Sequence, residues 1–114
     1  MIGTVNRTHP LYGIDGVEKL PAPKALSGKD VKDFGAVIKC FGEYLTRCLR
    51  DKNWSLRKAA VEKMCAKLRG ADGPPNGQLV PALKAVMKVM LSESVIHVFV
   101  KAVELANVLL DKGL

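Results

Sequence analysis

The sequence predicts an all-α chain, an α-solenoid of helical hairpins with four main helices after an extended N-terminal leader. Three observations carry this. Apolar residues recur at spacings of three and four over four separate segments. Helix start and stop signals punctuate the chain between those segments. The pattern of the first two segments also returns, shifted by 42 residues, in the last two.

Residues 1–28 show no sustained period and read as the leader. Within it, Leu20-Pro21-Ala22-Pro23 is expected to be extended, because proline cannot donate and restricts the residue before it. Ser27 then reads as a helix cap, with Asp30 three residues on. The first helical pair is predicted over 29–70 and the second over 76–112. Phe34, Val37, Ile38, Phe41, Tyr44/Leu45 and Cys48/Leu49 form the first apolar stripe. Leu56, Ala60, Val61, Met64, Cys65 and Leu68 form the second, and Gly70 is a natural stop.

Asp72-Gly73-Pro74-Pro75-Asn76-Gly77 is a connector by composition. The third stripe is Leu79, Leu83, Val86, Met87, Met90 and Leu91, with Pro81 expected in its first turn, where a missing N–H costs little. After Ser92-Glu93-Ser94 the fourth runs Val95, Val98, Phe99, Ala102, Val103, Ala106, Leu109 and Leu110. The β-branched run 95–100 also suits a strand, but its helical continuation to Leu110 favours a helix.

A shift of 42 superposes Leu49 on Leu91, Leu56 on Val98, Ala60-Val61-Glu62 on Ala102-Val103-Glu104 and Leu68 on Leu110. Helix pairs repeating at this period are the signature of HEAT-type repeats. Stacked hairpins share one buried layer and place both intra-pair turns on the same edge. A plain four-helix bundle is the competing architecture. A stack of only two pairs leaves an end uncovered, and self-association through that end is expected.

At 114 residues the chain suits one domain. Its 48% hydrophobic and 25% charged content is ordinary for a globular protein. No apolar run reaches the ~18–20 residues that span a bilayer, so no membrane role is expected. The first residues lack the apolar stretch of a signal peptide, and Ile2 stands where myristoylation requires glycine. Cys40, Cys48 and Cys65, an odd set without a CxxC pair, read as reduced and mostly buried in an intracellular protein.

The net charge is +7. Between Arg47 and Arg69, residues 47, 50, 52, 57, 58, 63, 67 and 69 are basic, against acidic Asp51 and Glu62. Such a run points either to an acidic partner or to a solvated helix face. Catalysis has little support: His9 and His97 have no Cys or Ser partner at a recognisable spacing, and the glycines fit no nucleotide fingerprint. Scattered acids argue against metals, so no catalytic residue, cofactor or metal ligand is expected.

Trp54, the single tryptophan, stands inside that basic run. In the repeat register Asp51-Lys52-Asn53 is the first intra-pair turn, Asn53 caps the second helix, and Trp54 begins it. Trp54 lies well off the stripe of that helix, about 200° from Leu56. The shift of 42 pairs it with Ile96, which is equally off its own stripe. Trp54 either folds back against the leader or the end of the first helix, or anchors a partner at the edge, flanked by Lys52 and Arg57. Arg57 has a structural alternative, pairing with Asp51 across the turn.

The segment Lys52-Asn53-Trp54-Ser55-Leu56-Arg57-Lys58-Ala59-Ala60-Val61-Glu62-Lys63-Met64 resembles the first turn of a TOG domain, the tubulin-binding HEAT array of microtubule polymerases. Ser92 to Val98 resembles the family's second turn, and the Leu-Pro-x-Pro leader is more weakly similar to its ciliary-tip centrosomal branch. The resemblance covers 34–112. It implies a non-enzymatic module, part of a larger microtubule-regulating protein of the cytoplasm and cytoskeleton, at cilium, centriole or centrosome. The implied contacts with tubulin are Lys52, Asn53, Trp54, Arg57, Glu93, Ser94 and Ile96. Ser55 stands where family members often carry a basic residue. A nucleic-acid-binding repeat, with lysines on phosphates and Trp54 stacked on a base, is the less favoured alternative; a scaffold segment docking another protein is the third.

Overall fold

The computed structural model describes residues 9–14, 16–70 and 76–112. Six α-helices form there: α1 (Gly28–Asp33), α2 (Gly35–Phe41), α3 (Glu43–Leu49), α4 (Trp54–Arg69), α5 (Asn76–Met90) and α6 (Ile96–Asp111). No strand forms among the described residues, so the chain is all-helical, and the β-branched run after Val95 is helix. The connector before α5 lies mostly outside the described residues.

The first predicted helix is corrected to three. Its apolar stripe continues across two breaks, and each break has a local cause. Phe34 closes α1 at φ −110°, ψ 23°, and α2 restarts at Gly35. Gly42 then takes φ 90°, ψ 160°, a region essentially restricted to glycine, which turns the chain between α2 and α3. The Thr46 hydroxyl donates to the Gly42 carbonyl at 3.0 Å, which accounts for a fully buried threonine in an apolar layer.

The remaining boundaries follow the sequence signals closely. Ser27 Oγ accepts from the Asp30 N–H at 3.1 Å and starts α1. Asn53 Oδ1 accepts from the Ser55 N–H at 2.9 Å and starts α4 at Trp54. Gly70 caps the other end. Pro81 is a second correction, because α5 begins at Asn76 and the proline therefore falls in its second turn. There its ring nitrogen cannot bond the carbonyl of exposed Gly77.

Packing joins the pairs side by side: α3 lies on α4, α2 on α5, and α4 on α6. Leu45, Leu49, Leu56, Met64, Leu68, Leu79, Val86, Val98 and Leu105 fill the shared core. The leader belongs to this core and is not wholly extended. Leu11 and Val17 are buried, a turn bonds Tyr12 N–H to the His9 carbonyl at 2.9 Å, and Val17–Lys19 is a 3-10 helix. Residues 20–27 are the extended part.

The fourth stripe is corrected in register. α6 buries Val98, Ala102, Leu105 and Val108, whereas Phe99, Val103 and Leu110, predicted for the core, stay exposed. Leu91 is 84% exposed as well. For α6 the cause is that its apolar arc is wider than the face α4 covers, so its periodicity does not fix which part turns inward; contact with α4 does.

Candidate functional site

The two intra-pair turns meet through one ion pair. From the first turn of α4, the Arg57 guanidinium donates Nε to Glu93 Oε1 at 2.8 Å and Nη2 to Glu93 Oε2 at 3.0 Å. The remaining nitrogen, Nη1, bonds the carbonyls of Asp51 at 3.0 Å and Lys52 at 2.8 Å. One arginine therefore closes its own turn and fastens it to the next. Both side chains are largely buried, 17% exposed for Arg57 and 4% for Glu93. Such forked, charge-assisted bonding is geometrically specific. Arg57 reaches the backbone of Asp51 and not its carboxylate, so its acidic partner is Glu93, across the repeat.

The turn is braced from within. Asp51 Oδ1 accepts from the Asn53 N–H at 2.9 Å, and Oδ2 accepts from the leader's Lys24 N–H at 3.0 Å. Arg47 holds the same leader stretch, donating to the carbonyls of Pro23 at 2.7 Å and Lys24 at 3.1 Å. Arg50 pairs with Asp30 at 3.3 Å and lies over the Phe34 ring at 5.0 Å. On the second turn, Glu93 Oε2 also accepts from the Val95 N–H at 3.0 Å and so orders the entry to α6.

These bonds set the acidity of the two carboxylates. Hydrogen bonding from Arg57 holds Glu93 below the usual carboxylate range, with help from the Val95 N–H. The Lys24 N–H, then the Asn53 N–H, lowers Asp51. Burial has the opposite effect on the thiols, pushing Cys48 up to about 12 and Cys65 up to about 11. Neither thiol is a nucleophile at neutral pH.

Trp54 stands on the surface of this braced edge, 42% exposed. Its ring stacks on His97 of the second turn, with centroids 5.4 Å apart and planes 28° from parallel. It also lines a groove of ≈ 290 Å³ with Ile14, Leu20, Lys19 and Lys58. The two sequence readings of Trp54 thus meet: the ring borders the leader, and it is also displayed at the edge. Ile96 is 69% exposed one position before His97. Lys52 and Ser94 are exposed, and Asn53 is half-buried with its side chain occupied as a cap.

Of the seven expected contact residues, the structure therefore displays Trp54, Ile96, Lys52 and Ser94. It turns Arg57, Glu93 and Asn53 towards holding the turns. The sequence reading did not include His97, although its position after Ile96 matches Ser55 after Trp54. It also missed the leader's use of Arg47 and Asp51, which no local pattern signals. A larger groove of ≈ 760 Å³ separates α1 from both turns and is lined among others by Lys29, Lys52, Lys88, Ser92 and Ser94.

The basic run is mostly spent inside the fold. Arg47, Arg50, Arg57 and Lys63 bond the leader, Asp30, Glu93 and the Tyr12 carbonyl respectively, and Lys58 pairs with Glu62 at 3.5 Å. Lys52, Lys67 and Arg69 have no side-chain partner among the described residues. No group of His, Cys, Asp and Glu suited to a metal ion occurs among them either. No protein-family model, curated protein or solved structure matches the chain.

Proposed function

We propose that the chain is a tubulin-binding module, a TOG-like fragment of a HEAT-type α-solenoid that contacts its partner through the two intra-pair turns. The observation that carries the reading is the edge itself. Arg57 and Glu93 hold residues 51–53 and 91–95 side by side, and on that common edge Trp54, Ile96 and Lys52 face solvent. Side-by-side pairing of α2 with α5 and of α4 with α6 supports the stacked-hairpin geometry that the reading requires. A large aromatic beside an unpaired lysine suits an acidic protein surface with an apolar recess. In this reading the module works without catalysis, within a larger microtubule-regulating protein of the cytoskeleton, at cilium, centriole or centrosome.

The test mixes purified tubulin with the chain on a sizing column. Wild type co-elutes with tubulin, and Trp54→Ala weakens this about thirtyfold, the equivalent of ~2 kcal/mol for a dominant anchor. Equal co-elution of the two, or none by wild type at high concentration, rejects the proposal.

A further inference from the structure

The two intra-pair turns differ at a position that bears on Trp54. Ser55 follows Trp54 in the first pair, whereas 42 residues on His97 follows Ile96. Trp54 is the first residue of α4 and His97 the second of α6. Side chains on a helix lean towards its N-terminus, so each ring projects over the turn that precedes its own helix. α4 and α6 lie side by side, which brings the two turns to one edge and the two rings together. Their centroids are 5.4 Å apart and their planes 28° from parallel, within the range of an offset stack. A serine at this point, as in the first pair, offers no such surface.

On the leader side the ring borders a groove of ≈ 290 Å³, lined also by Ile14 and Leu20, and Trp54 is 42% exposed. A side chain bounded by a groove and by solvent exchanges rotamers on the ps–ns scale unless a contact selects one. We propose that His97 is a positioning residue for Trp54: its imidazole, stacked on the indole, holds the ring in the orientation displayed at the edge. His97 is fixed in turn by the bonds that order the entry to α6. Arg57 ties Glu93 to the first turn at 2.8 and 3.0 Å, and Glu93 Oε2 accepts from the Val95 N–H at 3.0 Å, two residues before His97. Contacts running from Arg57 through Glu93 to the start of α6 therefore hold the two rings in register.

The consequence for binding rests on the tubulin reading, in which Trp54 is the anchor. A side chain ordered before contact loses less conformational freedom on binding than a mobile one, so a stacked Trp54 grips more tightly than a free one. His97 acts here through Trp54 and not by a contact of its own with the partner.

Trp54 is the single tryptophan, so indole fluorescence reports on this ring alone. Time-resolved anisotropy of the whole chain is expected to show the wild-type indole following overall tumbling. His97→Ala adds a fast, sub-nanosecond component. His97→Ser, which places the residue of the first pair in the second, does the same and serves if His97→Ala unfolds. His97→Phe keeps a ring to stack and restores the wild-type decay. Val80→Ala, at an exposed position on α5, leaves the decay unchanged, and far-UV circular dichroism checks the fold of every variant. A fast component as large in wild type as in His97→Ala, its absence from both His97→Ala and His97→Ser, or its persistence in His97→Phe overturns the proposal. On the sizing column with tubulin, His97→Ala weakens binding about fivefold and His97→Phe does not; equal binding by wild type and His97→Ala overturns the role of His97 in the anchor. If wild type itself fails to bind tubulin, the proposed function falls, while the anisotropy still decides whether His97 positions the ring.

Discussion

Arg57 and Glu93 decide how the edge is built. A guanidinium with its donors shared between two backbone carbonyls and one carboxylate fixes two turns that are distant in sequence. Removing one partner leaves the other mostly buried and unpaired, which costs more than an exposed ion pair contributes. Glu93→Gln, which keeps an acceptor but loses the charge, is expected to lower stability at pH 7 by about 2 kcal/mol, read from chemical denaturation. The same pair gives the fold an acid limit. Glu93 titrates below its ordinary value of 4.5 in the folded chain, so its contribution is complete above that pH. It is lost as the pH falls from there through the lowered folded value, because the unfolded chain takes up the proton first. Asp51, also lowered, acts in the same direction. Melting temperature should fall below about pH 4.5, and Glu93→Gln should flatten that fall; an unchanged acid limb in the variant would sink the linkage.

Among the elements, the break between α2 and α3 is the sharpest test of how backbone conformation shapes the first pair. Gly42 sits at φ 90°, and a Cβ placed there would meet nothing within 4 Å. The cost of Gly42→Ala is therefore conformational and not steric crowding by neighbours, about 1–3 kcal/mol. A thermal melt that leaves the variant as stable as wild type would refute this. The start of α4 rests on a different device. Asn53→Ala removes the acceptor for the Ser55 N–H and should cost about 1 kcal/mol, again by denaturation. The caps at Ser27 and Asn53 were legible because they act within three residues. The break at Gly42 was not, since the apolar stripe runs through it from Phe41 to Leu45 without interruption.

On the scale of the whole molecule the leader is the unexpected component. Leu11 is fully buried and Val17 nearly so, while Arg47, Asp51 and Lys63 reach leader backbone atoms. Two helical pairs alone have little core, and this segment adds apolar surface to it. Leu11→Ala should cost about 2–4 kcal/mol and lower the melting temperature by well over 5 °C in a chain of this size. Among the described residues no helix covers the exposed Phe99, Val103 and Leu110 of α6. The basic run looked like a surface for an acidic partner. Much of it instead holds the leader and the turns, a use that depends on contacts 20 to 51 residues apart.

Local chemistry determined what lies close along the chain: helical spacing in four segments, caps at Ser27 and Asn53, the stop at Gly70, and the placement of Trp54 at the head of α4. Those features depend on hydrogen bonds and side-chain spacing within a turn or two. Tertiary structure alone decided which face of α6 is buried, that Arg57 answers Glu93, that Trp54 stacks on His97, and that the leader enters the core. Each of these is a choice among chemically similar options. A helix whose apolar arc is wider than one contact offers more than one face, and an arginine offers five donors to any acceptor in reach. Only the relative placement of the packed elements selects among them.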